Sequence, residues 1–64
     1  MVLLVVKTRH GDIIRGEMDS DLAEVMQLMH ECARQNGFIA MTGDRNDIVM
    51  VNTQEIVSVK MRVE

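Results

Sequence analysis

Few side chains in this chain are able to do chemistry, and their spacing decides what they can do together. His30 and Cys32 stand two apart in a helical stretch. That places them about 200° apart around the helix axis, so they cannot share a ligand sphere from that element. Cys32 falls on the apolar side and reads as a small buried hydrophobe, inert because apolar burial disfavours the thiolate. His30, on the flank of the stretch, and His10, in a turn beside Asp12, read as solvated residues rather than ligands. A nucleophile built from Cys32 and His10 would need a third orienting group and an enclosing pocket. A chain of 64 residues has little room for one.

The run Gly43-Asp44-Arg45-Asn46-Asp47 has the look of a calcium-loop fragment. It lacks the twelve-residue spacing and the terminal bidentate Glu, so it reads as a turn. Gly11, Gly16, Gly37 and Gly43 stand singly and never cluster before a helix, as a phosphate loop requires. With no paired carboxylates, no nucleophile–base constellation and no cofactor motif in view, the expectation is a protein that is not an enzyme and uses neither cofactor nor metal.

One set of residues remains. Lys7 and Arg9 are two apart, as are Lys60 and Arg62, so on strands each pair shares a face. If the first and last strands are neighbours, the four form a basic stripe able to hold a small anionic ligand or a nucleic-acid phosphate. A solvated sheet face accounts for them more simply, since surface charge is normal. The formal net charge is −3 and the seven basic residues are dispersed. With no aromatic platform for stacking bases, this argues against nucleic acid as a partner.

The positions of these groups follow from the elements that carry them. The stretch Ser20 to Gly37 has Leu22, Val25, Met26, Met29, Cys32 and Ala33 at spacings of three and four, predicting a helix over about residues 20–36. Asp19 or Ser20 is expected to cap its start, with Asp21 and Glu24 placing negative charge in the first turn. Asn36-Gly37-Phe38 predicts a Schellman stop, with Gly37 left-handed and Phe38 folded back on Cys32 or Ala33. Leu28 lies off the main stripe and widens the apolar arc, which asks for a second surface to cover it.

The rest reads as strand. Val2 to Arg9 is β-branched at its heart, and its first half is apolar at every position, predicting cover on both faces. His10-Gly11-Asp12 is a tight turn with Gly11 at positive φ. Asp12 to Met18 returns as a second strand, in which Gly16 predicts a bulge or the close approach of another backbone. Phe38 to Thr42 and Asp47 to Val51 are the third and fourth strands. Asn52 to Glu55 is a short turn with 3₁₀ character. Ile56 to Val63 is the fifth strand, with Val57, Val59, Met61 and Val63 facing a core. The order is β-β-α-β-β-β. The predicted fold is α+β: a bent antiparallel five-stranded sheet, or a small partly open barrel, with one helix packed on it.

Three segments carry a resemblance. Gly16-Glu17-Met18 ends a strand before an acidic-capped helix, Asn36-Gly37-Phe38 follows that helix, and Val51-Asn52 leads to Ile56-Val57-Ser58-Val59. Together they resemble small uncharacterised domains of bacteria and their phages. The resemblance covers most of the chain and implies an accessory protein that works by occupying a partner's surface, with no activity attached. The ending also resembles the strand–turn–strand close of SH3-like and Sm-like barrels, although an Sm-like domain would place its helix before the strands.

Length and composition set the remaining bounds. Sixty-four residues predict one domain over 1–64, small enough to bury only about 60% of its unfolded surface. Hydrophobic content is 47%, with seven Met and a single aromatic, Phe38. Some of the Met is expected to fill core gaps and some to form adaptable contact surface. Cys32 is alone, so no disulfide forms within one chain, and a free thiol fits a reducing cytoplasm. The longest apolar run, Met1 to Val6, is too short to span a membrane and lacks the flanks of a signal peptide. A chain with more apolar side chain than it can enclose predicts a homo-oligomer, most simply a dimer. The seam is expected at Leu3 and Val5 on the first strand, at Leu28, or at both. The functional expectation is an interaction module that binds itself and an unidentified protein partner. The alternative is an oligomeric binder of a small anion or nucleic acid through Lys7, Arg9, Lys60 and Arg62.

Overall fold

The computed structural model describes residues 1–35 and 37–64. Two local hairpins dominate it. β1 (Val2–Thr8) and β2 (Ile13–Met18) are joined by a turn in which the Thr8 amide donates to the Asp12 carbonyl at 2.9 Å. The Gly11 amide donates to the Thr8 carbonyl at 3.1 Å, and Gly11 has φ +85°, as the turn requires. β3 (Phe38–Thr42) and β4 (Ile48–Asn52) repeat the device. The Gly43 amide donates to the Asp47 carbonyl at 2.8 Å, and Asn46 takes the left-handed position at φ 61°. Both are type I turns closed by one left-handed residue, a geometry Gly and Asn tolerate best.

The sheet is antiparallel and not closed, in the order β4-β3-β2-β1-β5, with β5 spanning Ile56–Val63. β1 is an interior strand, paired with β2 over Val2–Lys7 and with β5 over Val2–Thr8. β2 and β3 meet at one register pair, Glu17 opposite Thr42, so the sheet bends there. Gly16 permits that bend. A Cβ on it would collide with the Met41 side chain, with Cγ at 2.6 Å, and would lie 3.1 Å from the Thr42 carbonyl oxygen. The close approach expected at Gly16 is therefore made mainly by a side chain. A three-residue 3₁₀ turn, η1 (Thr53–Glu55), links β4 to β5, the two edges of the sheet. So short a link across five strands requires the sheet to curl.

The helix α1 runs Leu22–Arg34, shorter than predicted at both ends. Asp21 is the cap, rather than Asp19 or Ser20, and its Oδ1 accepts from the Glu24 amide at 2.9 Å. The capping oxygen must reach a free amide three residues on, and Asp21-to-Glu24 is the spacing that begins the helix at Leu22. At the other end the Gly37 amide donates to the Cys32 carbonyl at 2.8 Å, the six-to-one bond of a Schellman stop. Gly37 itself does not take the left-handed conformation predicted for it, because the six-to-one bond sets it one position past the residue that such a stop turns. The part of the prediction that rests on Asn36 lies outside the described residues. Phe38 does not tuck under the helix; it opens β3 and is 56% exposed.

The core is aliphatic. Val2, Leu4, Val6, Met18, Val25, Ile39, Met41 and Val51 are buried together. α1 packs against β3 and η1, so the line Val25, Met29, Cys32 meets the core, while Leu22, Met26 and Ala33 are exposed. The apolar stripe was predicted too wide because a helix lying across one end of a sheet is covered along a single seam. Cys32 is consequently half-buried, not enclosed. Thr53 fastens this seam: its Oγ1 donates to the Gly37 carbonyl at 2.9 Å and reaches that of Cys32 at 3.4 Å, and its amide also donates to Gly37 at 3.0 Å.

Two strand expectations change. Leu3 and Val5 are only half-buried, because no second layer covers the face of β1 turned away from the helix. On β5, Val59 and Met61 face the core side, but Val57 is 61% exposed. The register passes from Lys7–Ser58 to Thr8–Ile56, leaving Val57 as the extra residue of a β-bulge. Val63, at the strand's end, is exposed too. No helix among the described residues is long and apolar enough to cross a membrane.

Candidate functional site

Alternation along β1 sends Val2, Leu4 and Val6 into the core and Leu3, Val5 and Lys7 to the outer face. The register then fixes who flanks them. Leu3 lies between Glu17 on β2 and Arg62 on β5, Val5 between Arg15 and Lys60, and Lys7 between Ile13 and Ser58. Neighbouring strands are about 4.8 Å apart, so Arg15 and Lys60 face each other over Val5 at about 10 Å. Because the sheet folds at Gly16, the Gly43–Asp44 turn forms one wall over this face, and Lys60 and Arg62 form the other. The result is an open cleft of 760 Å³ with Leu3 and Val5 as its apolar lining.

The cleft gathers three cations and two carboxylates: Arg15, Lys60 and Arg62 with Glu17 and Asp44. Arg62 is partly engaged, its guanidinium 3.3 Å from Glu64 Oε1. Arg15 and Lys60 have no ion-pair partner among the described residues. Such a surface can hold an anion between two long flexible cations and rest an apolar group on Leu3 and Val5.

Of the four basic residues expected to share a stripe, the structure puts Lys60 and Arg62 in the cleft. Lys7 is on the same face one step along. Arg9 lies beyond the end of β1, in the hairpin turn, where its amide donates to the Glu55 carbonyl at 2.9 Å. Arg15 was missed. The turn carries its signal: a hairpin closed by Thr8 and Asp12 fixes the register and sets Arg15 opposite Val5.

The residues proposed for a dimer seam separate. Leu3 and Val5 line the cleft, whereas Leu28 is on the helix, which packs over the opposite face, and is 45% exposed. His10 is exposed at its turn with Nε2 3.5 Å from Glu55 Oε2, and His30 is exposed on the helix. Among the described residues no three His, Cys, Asp or Glu side chains cluster to hold a metal ion.

A second surface was not foreseen. On the outer face of the β3–β4 hairpin, Phe38, Ala40, Ile48 and Met50 are all exposed, at register positions Phe38–Asn52, Ala40–Met50 and Thr42–Ile48. Ile48 is 78% exposed and Met50 63%. Alternation within IVMV hides this from a sequence reading, because an all-apolar strand does not announce which of its faces is bare. No protein family model, no curated protein and no solved structure matches the chain.

Proposed function

We propose that this chain is a non-enzymatic interaction module that works as a homo-oligomer. The observation that carries the reading is the exposed apolar surface of the β3–β4 hairpin, on a chain that is otherwise compact. Its radius of gyration is 10.8 Å, close to the roughly 10.7 Å of a globule this long, so expansion does not explain the exposure. Each large aliphatic or aromatic side chain contributes about 1.5–3 kcal/mol when fully covered. Covering the exposed parts of Phe38, Ile48 and Met50 is then worth on the order of 3–6 kcal/mol per copy. Association costs at least about 4 kcal/mol, so the contact is a weak, concentration-dependent one rather than an obligate seam. Light scattering or sedimentation equilibrium tests this directly. A mass of 7.3 kDa at every concentration reached refutes it.

A second reading has an observation of its own. The cleft between Arg15 and Lys60 favours a small anion, the ligand class expected from the basic strand residues. Its test is a titration with inorganic phosphate and with a short polyanion at rising salt. Binding driven by phosphate contacts falls steeply with salt, and binding that ignores salt refutes it.

A further inference from the structure

The two edges of the sheet are built differently. β5 carries three of the devices that stop edge strands from pairing: Lys60, Arg62 and the bulge at Val57. β4, Ile48–Asn52, carries none: it has no charge, no proline and an unbroken register with β3. The hydrogen bonds show which of its groups are free. Gly43 donates to Asp47 and Thr53 donates to Gly37, so the bonded pairs of the β3–β4 ladder fall at Met41–Val49 and Ile39–Val51. The amides and carbonyls of Ile48, Met50 and Asn52 therefore point away from β3, along the open edge.

The geometry points to a second copy of this chain as the occupant of that edge, its β4 antiparallel to this one across a twofold axis at Met50. This rests on the homo-oligomer reading above and names an edge-to-edge seam, which flanks Ile48 and Met50 with the second copy's side chains and leaves Phe38, on the neighbouring strand, open. In that register Met50 meets the second copy's Met50, and Ile48 meets the second copy's Asn52. All of these residues have edge-facing backbone groups, so about six backbone hydrogen bonds form. Val49 meets the second copy's Val51. Residues directly opposite carry their side chains on the same face, so the exposed Met50 and Ile48 gain apolar or neutral neighbours and the two cores stay on one side of a continuous sheet. Each copy bears a net charge of −3, yet no charged residue faces a like charge, since Asp47 falls opposite the second copy's Thr53.

Pairing of β4 with the second copy's β5 fits less well. The Glu64 amide donates to the Met1 carbonyl at 3.0 Å, which by alternation turns the backbone of Met61 and Val63 to the β5 edge. Met61 packs on the core side. Joining it to Met50 would set the core face of one copy against the bare face of the other. A seam of one five-residue strand buries less than the standard size of about 800 Å² per partner, so a weak, concentration-dependent dimer is expected.

The test is sedimentation equilibrium on the whole chain from about 1 to 500 µM, for wild type, Met50→Lys, Met50→Pro and Val57→Lys, with circular dichroism to show that each is folded. The expected result is a wild-type dimer of twice 7.3 kDa at the upper end. Met50→Lys and Met50→Pro should raise the dissociation constant at least about tenfold, by facing like charges and by removing an edge donor. Val57→Lys should leave it unchanged. The proline touches an edge-facing amide, so it spares the ladder to β3; if it fails to fold, the lysine variant decides. A dimer indifferent to Met50→Lys overturns this seam and leaves the homo-oligomer standing. Masses beyond the dimer, or dissociation by Val57→Lys, also overturn it. A monomer throughout overturns both.

Discussion

Gly16 offers the sharpest test of how the sheet bends. In Gly16→Ala the new methyl must displace the Met41 side chain, whose Cγ lies 2.6 Å from the ideal Cβ position, and Met41 is buried with little space to move into. Overpacking of this kind costs about 1–3 kcal/mol. Replacing Gly in a strand returns about 0.5–1 kcal/mol of backbone entropy. The net loss should lie between about 0 and 2.5 kcal/mol. Met41→Ala alone opens a cavity and should cost about 2–5 kcal/mol. With both changes the collision partner is gone, so adding Gly16→Ala to Met41→Ala should be neutral or stabilising. Only the 3.1 Å approach to the Thr42 carbonyl is then left to relax. The coupling in the double-mutant cycle should favour the double variant by about 1–3 kcal/mol. Urea unfolding followed by far-ultraviolet circular dichroism suits a chain without Trp or Tyr. With a slope near 1 kcal/mol per molar for so small a domain, each kcal/mol moves the midpoint by about 1 M. All four proteins are compared at one concentration, because association adds to apparent stability. If Gly16→Ala costs as much without the Met41 side chain as with it, the collision is not why Gly16 is there.

Other changes follow from single contacts and are read by the same unfolding assay. Thr53→Val keeps the shape but removes the hydroxyl from the Gly37 and Cys32 carbonyls, and should cost about 0.5–1.5 kcal/mol. Asp21→Ala should cost about 0.5–2 kcal/mol, whereas Ser20→Ala should be close to neutral. Gly11→Ala places a Cβ at φ +85° and should cost about 1–2 kcal/mol, while Asn46→Gly should be nearly neutral. His10→Ala should change stability by less than about 0.5 kcal/mol, since its pair with Glu55 is exposed.

Much of the fold was legible because it is local. The third and fifth strands begin and end where their apolar runs do, and Gly11 marks its own turn. Residues read from single-element periodicity fared worse. Leu22 and Met26 share the helical stripe with Val25, but exposure depends on where the helix lies, and only the tertiary seam against β3 and η1 decides that. Val57 alternates with Val59 in sequence and departs from it in space because of a bulge that has no sequence mark of its own. In the cleft, Lys60 and Arg62 were found by their spacing. Arg15 needed the register, and the wall at Gly43–Asp44 needed the bend at Gly16, which couples residues far apart in the chain.

The place of β1 between β2 and β5 has a consequence in time. Its partner on one side, β2, follows at once through a short turn. Its partner on the other, β5, pairs Val63 with Val2 across a separation of 61 residues. Contacts so distant in sequence slow folding, because the loop must close before they form. At a synthesis rate of about 5–20 residues per second, Val2 to Val6 leaves the ribosome roughly 3–12 seconds before β5 exists. For that interval a strand that is apolar at every position from Val2 to Val6 has one bare edge. An edge left bare for those seconds is a template for any other strand that comes within reach.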